Sequence, residues 1–460
     1  METVTTENFW TKSKILIKAV IIGGLSIVLL IPTFFVKNLI EERELRQKDA
    51  IQEVSSKWAG RQNLTGPIIV LPYVENNVDT SGKKFTIRHQ AYFLPDEVTV
   101  NSKIIPQERS RGIYKVMLYT SQNVITGRFD KVNLDALKIG AENILWNEAS
   151  VRFNISDPKG LNDELQLKWN DSVLVLSPQS SEEGLTAPVN FSGVEDLKDI
   201  RFSTQINLNG SEKVLFSPIG KTTTVNITSP YPHPSFTGNV LPQLTSVKDS
   251  GFTASWKSMS HNRTFPQQWK DQSYSLVTPE TIVTHTNRYR DVVLSDVQPD
   301  NSSVHKIGAA AFGVDLFIPV NDYQKTLRSV KYAVLCIMLT FCAFFLIETV
   351  NRKAVHPFQY GLVGLALILF YTLLLSFSEY IGFNPAYIVA SVCTIGLIGW
   401  FVKGVLHSGR LSMLLSMILV LLYSYVFTIL QLQDYALLLG SIGLFITLGV
   451  VMYFSRKFQW

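Results

Sequence analysis

Residues 15–36 read ILIKAVIIGGLSIVLLIPTFFV, an apolar run broken by one charge, Lys18. Whether this run is removed or retained decides the fold, because everything after it is then either released or held at a membrane. The apolar region of a secretory signal spans about 7–15 residues and ends at a small-x-small cleavage site. This run is longer and continues as IPTFFVKNL, which offers no such site. It is therefore expected to stay as an anchor, since a bilayer takes roughly 20 apolar residues of helix. Lys18 lies close enough to one end to snorkel to the interface.

Five further stretches of this kind form a C-terminal block, near residues 331–350, 358–378, 385–402, 411–433 and 435–455. The section between, 37–328, is different. Of the chain's 42 Lys and Arg and 37 Asp and Glu, 32 of each lie there, so the net charge of +5 belongs to the apolar ends. A section without net charge gives no electrostatic case for nucleic acid or a strongly anionic polymer as partner. Lys12 and Lys14, Arg352 and Lys353, Lys403 and Arg410, and Arg456 and Lys457 alternate with two loops, EYIGFNP and QLQD, that carry no base. Under the positive-inside rule this puts both termini in the cytoplasm and 37–328 on the far side of the membrane. Lys325, Arg328 and Lys331 run against that pattern, but they border a long domain whose charges weigh less in it.

The expected divisions are a first membrane helix over 1–36, a helical stalk over 37–65, a β-rich domain over 66–328 and a five-helix membrane block over 329–460. The stalk follows from Glu42 and Arg46, Glu44 and Lys48, and Glu53 and Lys57, each pair spaced i to i+4 with no breaker after Pro32. From Gly66 the period changes. Runs such as KFTIRHQAYF, TTTVNITS and GFTASW, rich in β-branched and aromatic residues and separated by turn residues, predict strands. Without long helices between them they argue for an antiparallel sandwich or extended double sheet. The fold class is thus α+β membrane protein with a sandwich-like outer domain. All three cysteines, Cys336, Cys342 and Cys393, fall in the membrane block. The outer domain has no disulfide framework and is large enough to fold without one. Its eight Asn-x-Ser/Thr sequons are chance if the chain is bacterial, the origin that a cysteine-free domain suits better.

Motifs of chemistry are absent: no HExxH, CxxC, GxSxG, Walker loop or GxGxxG occurs. Ser81 and Lys84 form a bare S-x-x-K, but in NNVDTSGKKFTI, a polar turn rather than a helix start. His89, His233, His261, His285 and His305 show no metal-ligand spacing, and no cofactor is called for. His233 lies in SPYPHPSFTGNVLP, whose prolines predict a stiff, non-helical loop. Such a loop can present a residue for binding, or cross between sheets with Tyr231 and Phe236 as packed anchors. In the membrane block, Glu348 at the end of the second span and Glu379 at the end of the third are both expected to reach water. Neither suits a proton path, which wants an ionisable group at depth. In FLIETVNRKAVHPFQY, residues 345–360, Arg352 and Lys353 fix the side of the loop, and His356 before Pro357 ends the turn. Glu348 is spaced to pair with Arg352 at i+4. The candidate functional positions are His233, Phe236, Glu348, Arg352, His356 and Glu379.

SVKYAVLCIMLTFCAFFLIETV, HPFQYGLVGLALILFYTLLLSFSEYIGF, YPHPSFTGNVLP, LTGPIIVLPY and DYALLLG resemble, in one order along the chain, the CreD family of bacterial inner membrane proteins. The resemblance implies one N-terminal span, a large periplasmic domain and a C-terminal block of spans. It also implies a part in cell envelope integrity and envelope stress, with altered colicin tolerance and two-component control, but no catalytic or ligand residues. Three functional readings follow. The first is a non-enzymatic inner membrane protein whose periplasmic domain binds an envelope protein or cell-wall component, self-association being open. The second is a membrane insertase or transporter-like protein, by analogy of layout. The third is a periplasmic glycan- or peptide-processing enzyme.

Overall fold

A computed structural model describes residues 7–78, 84–179, 184–275, 305–316, 322–351, 353–432 and 436–455. The chain divides into two compact units, Met1–Asp49 with Val320–Trp460, and Ala50–Pro319.

Eight helices occur among the described residues: α1 (Glu7–Val28), α2 (Leu30–Trp58), α3 (Asp322–Lys331), α4 (Ala333–Val350), α5 (Pro357–Ile381), α6 (Phe383–Leu406), α7 (Gly409–Gln431) and α8 (Ala436–Ser455). Only Leu29 separates α1 from α2. Pro32 has no N–H for the carbonyl of Val28, which loosens the helix there, while Leu29 N–H still reaches Leu25 O at 3.0 Å. The rod from Ile17 to Trp58, α4, α5, α6 and α7 are long and apolar enough to cross a membrane, five spans by length and composition among the described residues. α8 covers the last apolar stretch. The three pairs read for the stalk are formed, Arg46 to Glu42 at 2.6 Å, Lys48 to Glu44 at 3.3 Å and Lys57 to Glu53 at 2.7 Å. α3 is an addition: the residues before the second span form their own short helix, burying Tyr323, Thr326, Ser329 and Val330.

Within the bundle, small and hydroxyl residues bring helices close. Ser412 Oγ donates to Gly399 O at 2.6 Å between α7 and α6, and Tyr387 Oη donates to Tyr423 O at 2.9 Å. Where lipid is as apolar as leucine, such contacts rather than hydrophobic burial select the interface. α5 meets the α1–α2 rod at two glycines. A Cβ on Gly364 would collide with the Leu29 side chain and lie 2.9 Å from Phe341 Cζ, whereas one on Gly361 would rest 3.9 Å from Leu25. Gly364→Leu is therefore expected to destabilise the chain by about 1–3 kcal/mol through overpacking. Gly361→Ala should change the unfolding temperature in detergent little, and equal effects from the two substitutions would refute this account of the contact.

The other unit is β-rich. Its strands are β1 (Gln62–Val78), β2 (Lys84–Phe93), β3 (Glu97–Arg111), β4 (Tyr114–Lys131), β5 (Ser150–Ile155), β6 (Leu165–Trp169), β7 (Ser172–Pro178), β8 (Leu185–Pro188) and β9 (Lys198–Ser211). There follow β10 (Lys213–Phe216), β11 (Thr222–Ser229), β12 (Ser235–Gly238), β13 (Leu244–Lys248), β14 (Gly251–Met259), β15 (Gln268–Lys270), β16 (Tyr274–Ser275), β17 (His305–Lys306) and β18 (Phe312–Asp315). Hydrogen bonds order them β12, β18, β10, β1, β5, β8, β7, β6, β9, β4, β3, β11, β14, β13, with β2 on β1, β15 on β2, and β16 paired to β17 apart. β7 bonds both β6 and β8 and so links the two halves. Alternation does the rest. In β11 Thr223, Val225 and Ile227 point inward, and Val225 and Ile227 join residues of the other half such as Ile68, Val70 and Phe153 in one continuous core. The wholly antiparallel expectation fails at three pairings: β1 with β10, β3 with β11 and the short β16 with β17 are parallel.

Candidate functional site

The chain leaves α4 at Val350 and re-enters helix at Pro357, which suits the first helical position because it has no N–H to leave unpaired. His356 is the N-cap. Its ring Nδ1 accepts the Phe358 N–H at 3.2 Å, and Gln359 Oε1 accepts the His356 N–H at 3.0 Å. That arrangement accounts for His356 as the residue that starts α5.

Val355 precedes it, 3 % exposed in the turn, and its backbone groups need partners. Charged side chains supply both. Val355 N–H donates to Glu348 Oε1 at 2.9 Å, and Val355 O accepts from Lys18 Nζ at 2.6 Å. Lys18 and Glu348 form an ion pair, and Tyr360 Oη donates to Glu348 Oε2 at 2.7 Å. Tyr360 is fully buried, with Phe344 at 4.7 Å and Phe341 at 5.6 Å between ring centroids, and the Lys18 ammonium lies 5.9 Å from its ring centroid. One carboxylate thus accepts three donors drawn from α1, the turn and α5. Charge-assisted bonds of this kind are roughly twice as strong as neutral ones.

Two expectations are corrected here. Glu348 does not reach water: it is 5 % exposed, because the turn folds back over it. Its partner is Lys18, while Arg352 lies outside the described residues. Lys18 does not snorkel free; its side chain is 22 % exposed and its ammonium is turned into the knot. The signal that could have found the pair is the rule that intramembrane charges tend to pair with one another, applied to the lone base of the first span and the lone acid of the second.

At the other end of α5, Glu379 is matched in a similar way. Its side chain is 10 % exposed, Tyr323 Oη donates to Oε1 at 3.0 Å, and Arg43 Nε stands 3.8 Å away. Beside it Asp322 Oδ1 accepts the first N–H of α6, from Phe383, at 3.3 Å. Each acid of the C-terminal spans is therefore balanced by a base on the α1–α2 rod. Lys18 and Arg43 are separated by 25 positions, about 37 Å of helix against a hydrocarbon core of about 30 Å. The rod is fastened to the bundle at both faces of the apolar layer, and what this arrangement does chemically is hold, not react.

The β-rich unit separates the two other candidates. Phe236 packs edge-on against Phe252 and Trp256, at 5.9 and 5.6 Å, and serves the core. His233 is exposed, 6.2 Å from the Tyr231 ring, and meets no second histidine among the described residues. His285 and Ser81 lie outside the described residues, and no group of three potential ligands for a metal occurs among the described ones. One cluster had no sequence signal. His89 stacks on Tyr73 at 5.3 Å, with Asp271 at 3.0 Å from Nδ1 and Glu75 at 3.5 Å from Nε2. Burial first, then the charges of Asp271 and Glu75, push the Tyr73 phenol up to about 12. Its members come from β1, β2 and the turn after β15, so only folding assembles them.

The family model described as Inner membrane protein CreD matches residues 14–460. Inner membrane protein CreD of Escherichia coli (strain K12) is 29 % identical to this chain over 456 residues, covering 98 % of this chain and 94 % of that protein.

Proposed function

The chain belongs to the CreD family of multi-pass inner membrane proteins, and from that premise we propose that it supports cell envelope integrity, as a non-enzymatic protein whose β-rich domain binds an envelope protein or cell-wall component. In this reading both termini lie in the cytoplasm and 37–328 in the periplasm, as the alternation of basic loops requires. The observation that carries it is the insertion of a whole β-rich unit, Ala50–Pro319, between the first span and the others. The rod that leads into this unit is clamped to the bundle at Lys18 and Arg43. The exposed His233, on a loop stiffened by prolines and pinned through Phe236, is the position offered for contact. The insertase reading needs a basic residue free at membrane depth, and Lys18, the base inside the first span, is instead paired with Glu348.

In-cell crosslinking from a photoreactive residue at position 233, and from positions along α2, is expected to capture a discrete envelope protein or a cell-wall fragment. Capture of lipid and self-contacts alone would sink the binding role. The topology has a separate test: a periplasm-active reporter fused after Asn301 should be on, and one fused after Lys353 off. The reverse pattern would invert the assignment.

A further inference from the structure

Arg328 and Lys331 are two of the three bases that run against the loop pattern in the sequence. In the structure they share a cavity of about 550 Å³ with Lys37. Its apolar wall comes from Leu30 and Phe34 on α2, Leu327 on α3 and Val334 on α4. Phe34 is 58 % and Val334 41 % exposed, both on helices read as membrane spans. The polar rim comes from Lys37, Arg328 and Lys331, with Glu41 as its acid. Glu41 is engaged by Lys37 at 3.5 Å. Among the described residues neither Arg328 nor Lys331 forms an ion pair. The site therefore carries an excess of two positive charges at one end and open hydrocarbon at the other.

The two ends are in register with the membrane. Lys37 directly follows the apolar run of the first span, and Lys331 stands two residues before α4 begins. Where the rod and the second span leave hydrocarbon, three bases thus face one groove. Basic pockets between membrane helices that open onto the headgroup layer suit anionic headgroups. We infer that this groove is a binding site for an anionic glycerophospholipid, its phosphate held by Arg328, Lys331 and Lys37 and its acyl chains lying along Leu30, Phe34 and Val334. A zwitterionic lipid brings its own cation to the rim and loses this advantage. The inference is independent of what the β-rich domain binds.

The test uses the purified full chain in neutral detergent, titrated with phosphatidylglycerol and read by native mass spectrometry. Phosphatidylcholine of the same acyl chains and glycerol 3-phosphate are the comparison probes. Phosphatidylglycerol should be retained in preference to both. Each charge removed near an anionic lipid surface weakens binding roughly five-fold, so Arg328→Gln with Lys331→Gln should weaken it about 25-fold and leave phosphatidylcholine unchanged. Arg328→Lys with Lys331→Arg should keep most of the affinity. Lys37→Gln, on a different helix, should show its own loss and guards against misfolding of the double variant. Equal binding of the two lipids, unchanged phosphatidylglycerol binding in the charge-removed variants, or glycerol 3-phosphate binding as well as the lipid would each overturn the assignment.

Discussion

Glu348→Leu is expected to cost the folded chain about 3–5 kcal/mol, the range for removing one partner of a buried ion pair. The substitution strands Lys18 in the turn and leaves the Val355 N–H and the Tyr360 hydroxyl without their acceptor. Removing the base instead should cost less, because a Glu348 without Lys18 keeps both of those donors. Lys18→Met combined with Glu348→Leu should recover the part of the loss that comes from the stranded ammonium, while the Val355 backbone groups and the Tyr360 hydroxyl stay without their partners. Thermal unfolding of the purified chain in detergent reads all three. The decisive quantity is the coupling: if the cost of Glu348→Leu is undiminished in the Lys18→Met background, the two residues do not act as a pair.

Trp256→Ala should be comparably severe, about 3–5 kcal/mol for a truncated large aromatic. Trp256 is fully buried, stacks on Phe312 at 6.0 Å and supports Phe236, and its indole Nε1 donates to Val240 O at 3.2 Å. It fixes Phe236 and Val240, on the C-terminal side of His233. The measurable consequence is faster proteolytic cleavage at residues 231–240 in the variant, with the helical unit intact. His233→Ala should leave cleavage and stability as they are, and parity between the two variants would contradict the division between a packed Phe236 side and an exposed histidine.

Hydropathy and local period carried a good deal of this structure. KFTIRHQAYF is β2 from end to end and TTTVNITS is β11, because each run is bounded by turn residues and rich in residues that fit a pleated surface. β3 is harder to read although Val98, Val100, Ser102 and Ile104 alternate inward, since Pro106 and the polar tail QERSR obscure the run. The parallel pairings had no local signal: Gln62 meets Val214, and Glu97 meets Thr222, across long intervals of sequence. The same holds for the site. His356 before Pro357 was legible as a turn because its cap is local, whereas Lys18 as a partner of Glu348, 330 positions away, is invisible to a reading that sees only neighbours.

The knot at Lys18 also sets an order of events. Its two charges are 330 positions apart, and at about 5–20 residues per second of synthesis the lysine waits roughly 15–65 s for its carboxylate. Throughout that interval the first span must sit in the bilayer with an unneutralised ammonium, which draws it toward the headgroups. The β-rich unit is made during the same interval and can fold before the bundle is complete. Closure of the helical bundle is then a late step in biogenesis, triggered when α4 arrives with Glu348 and pulls the waiting anchor inward.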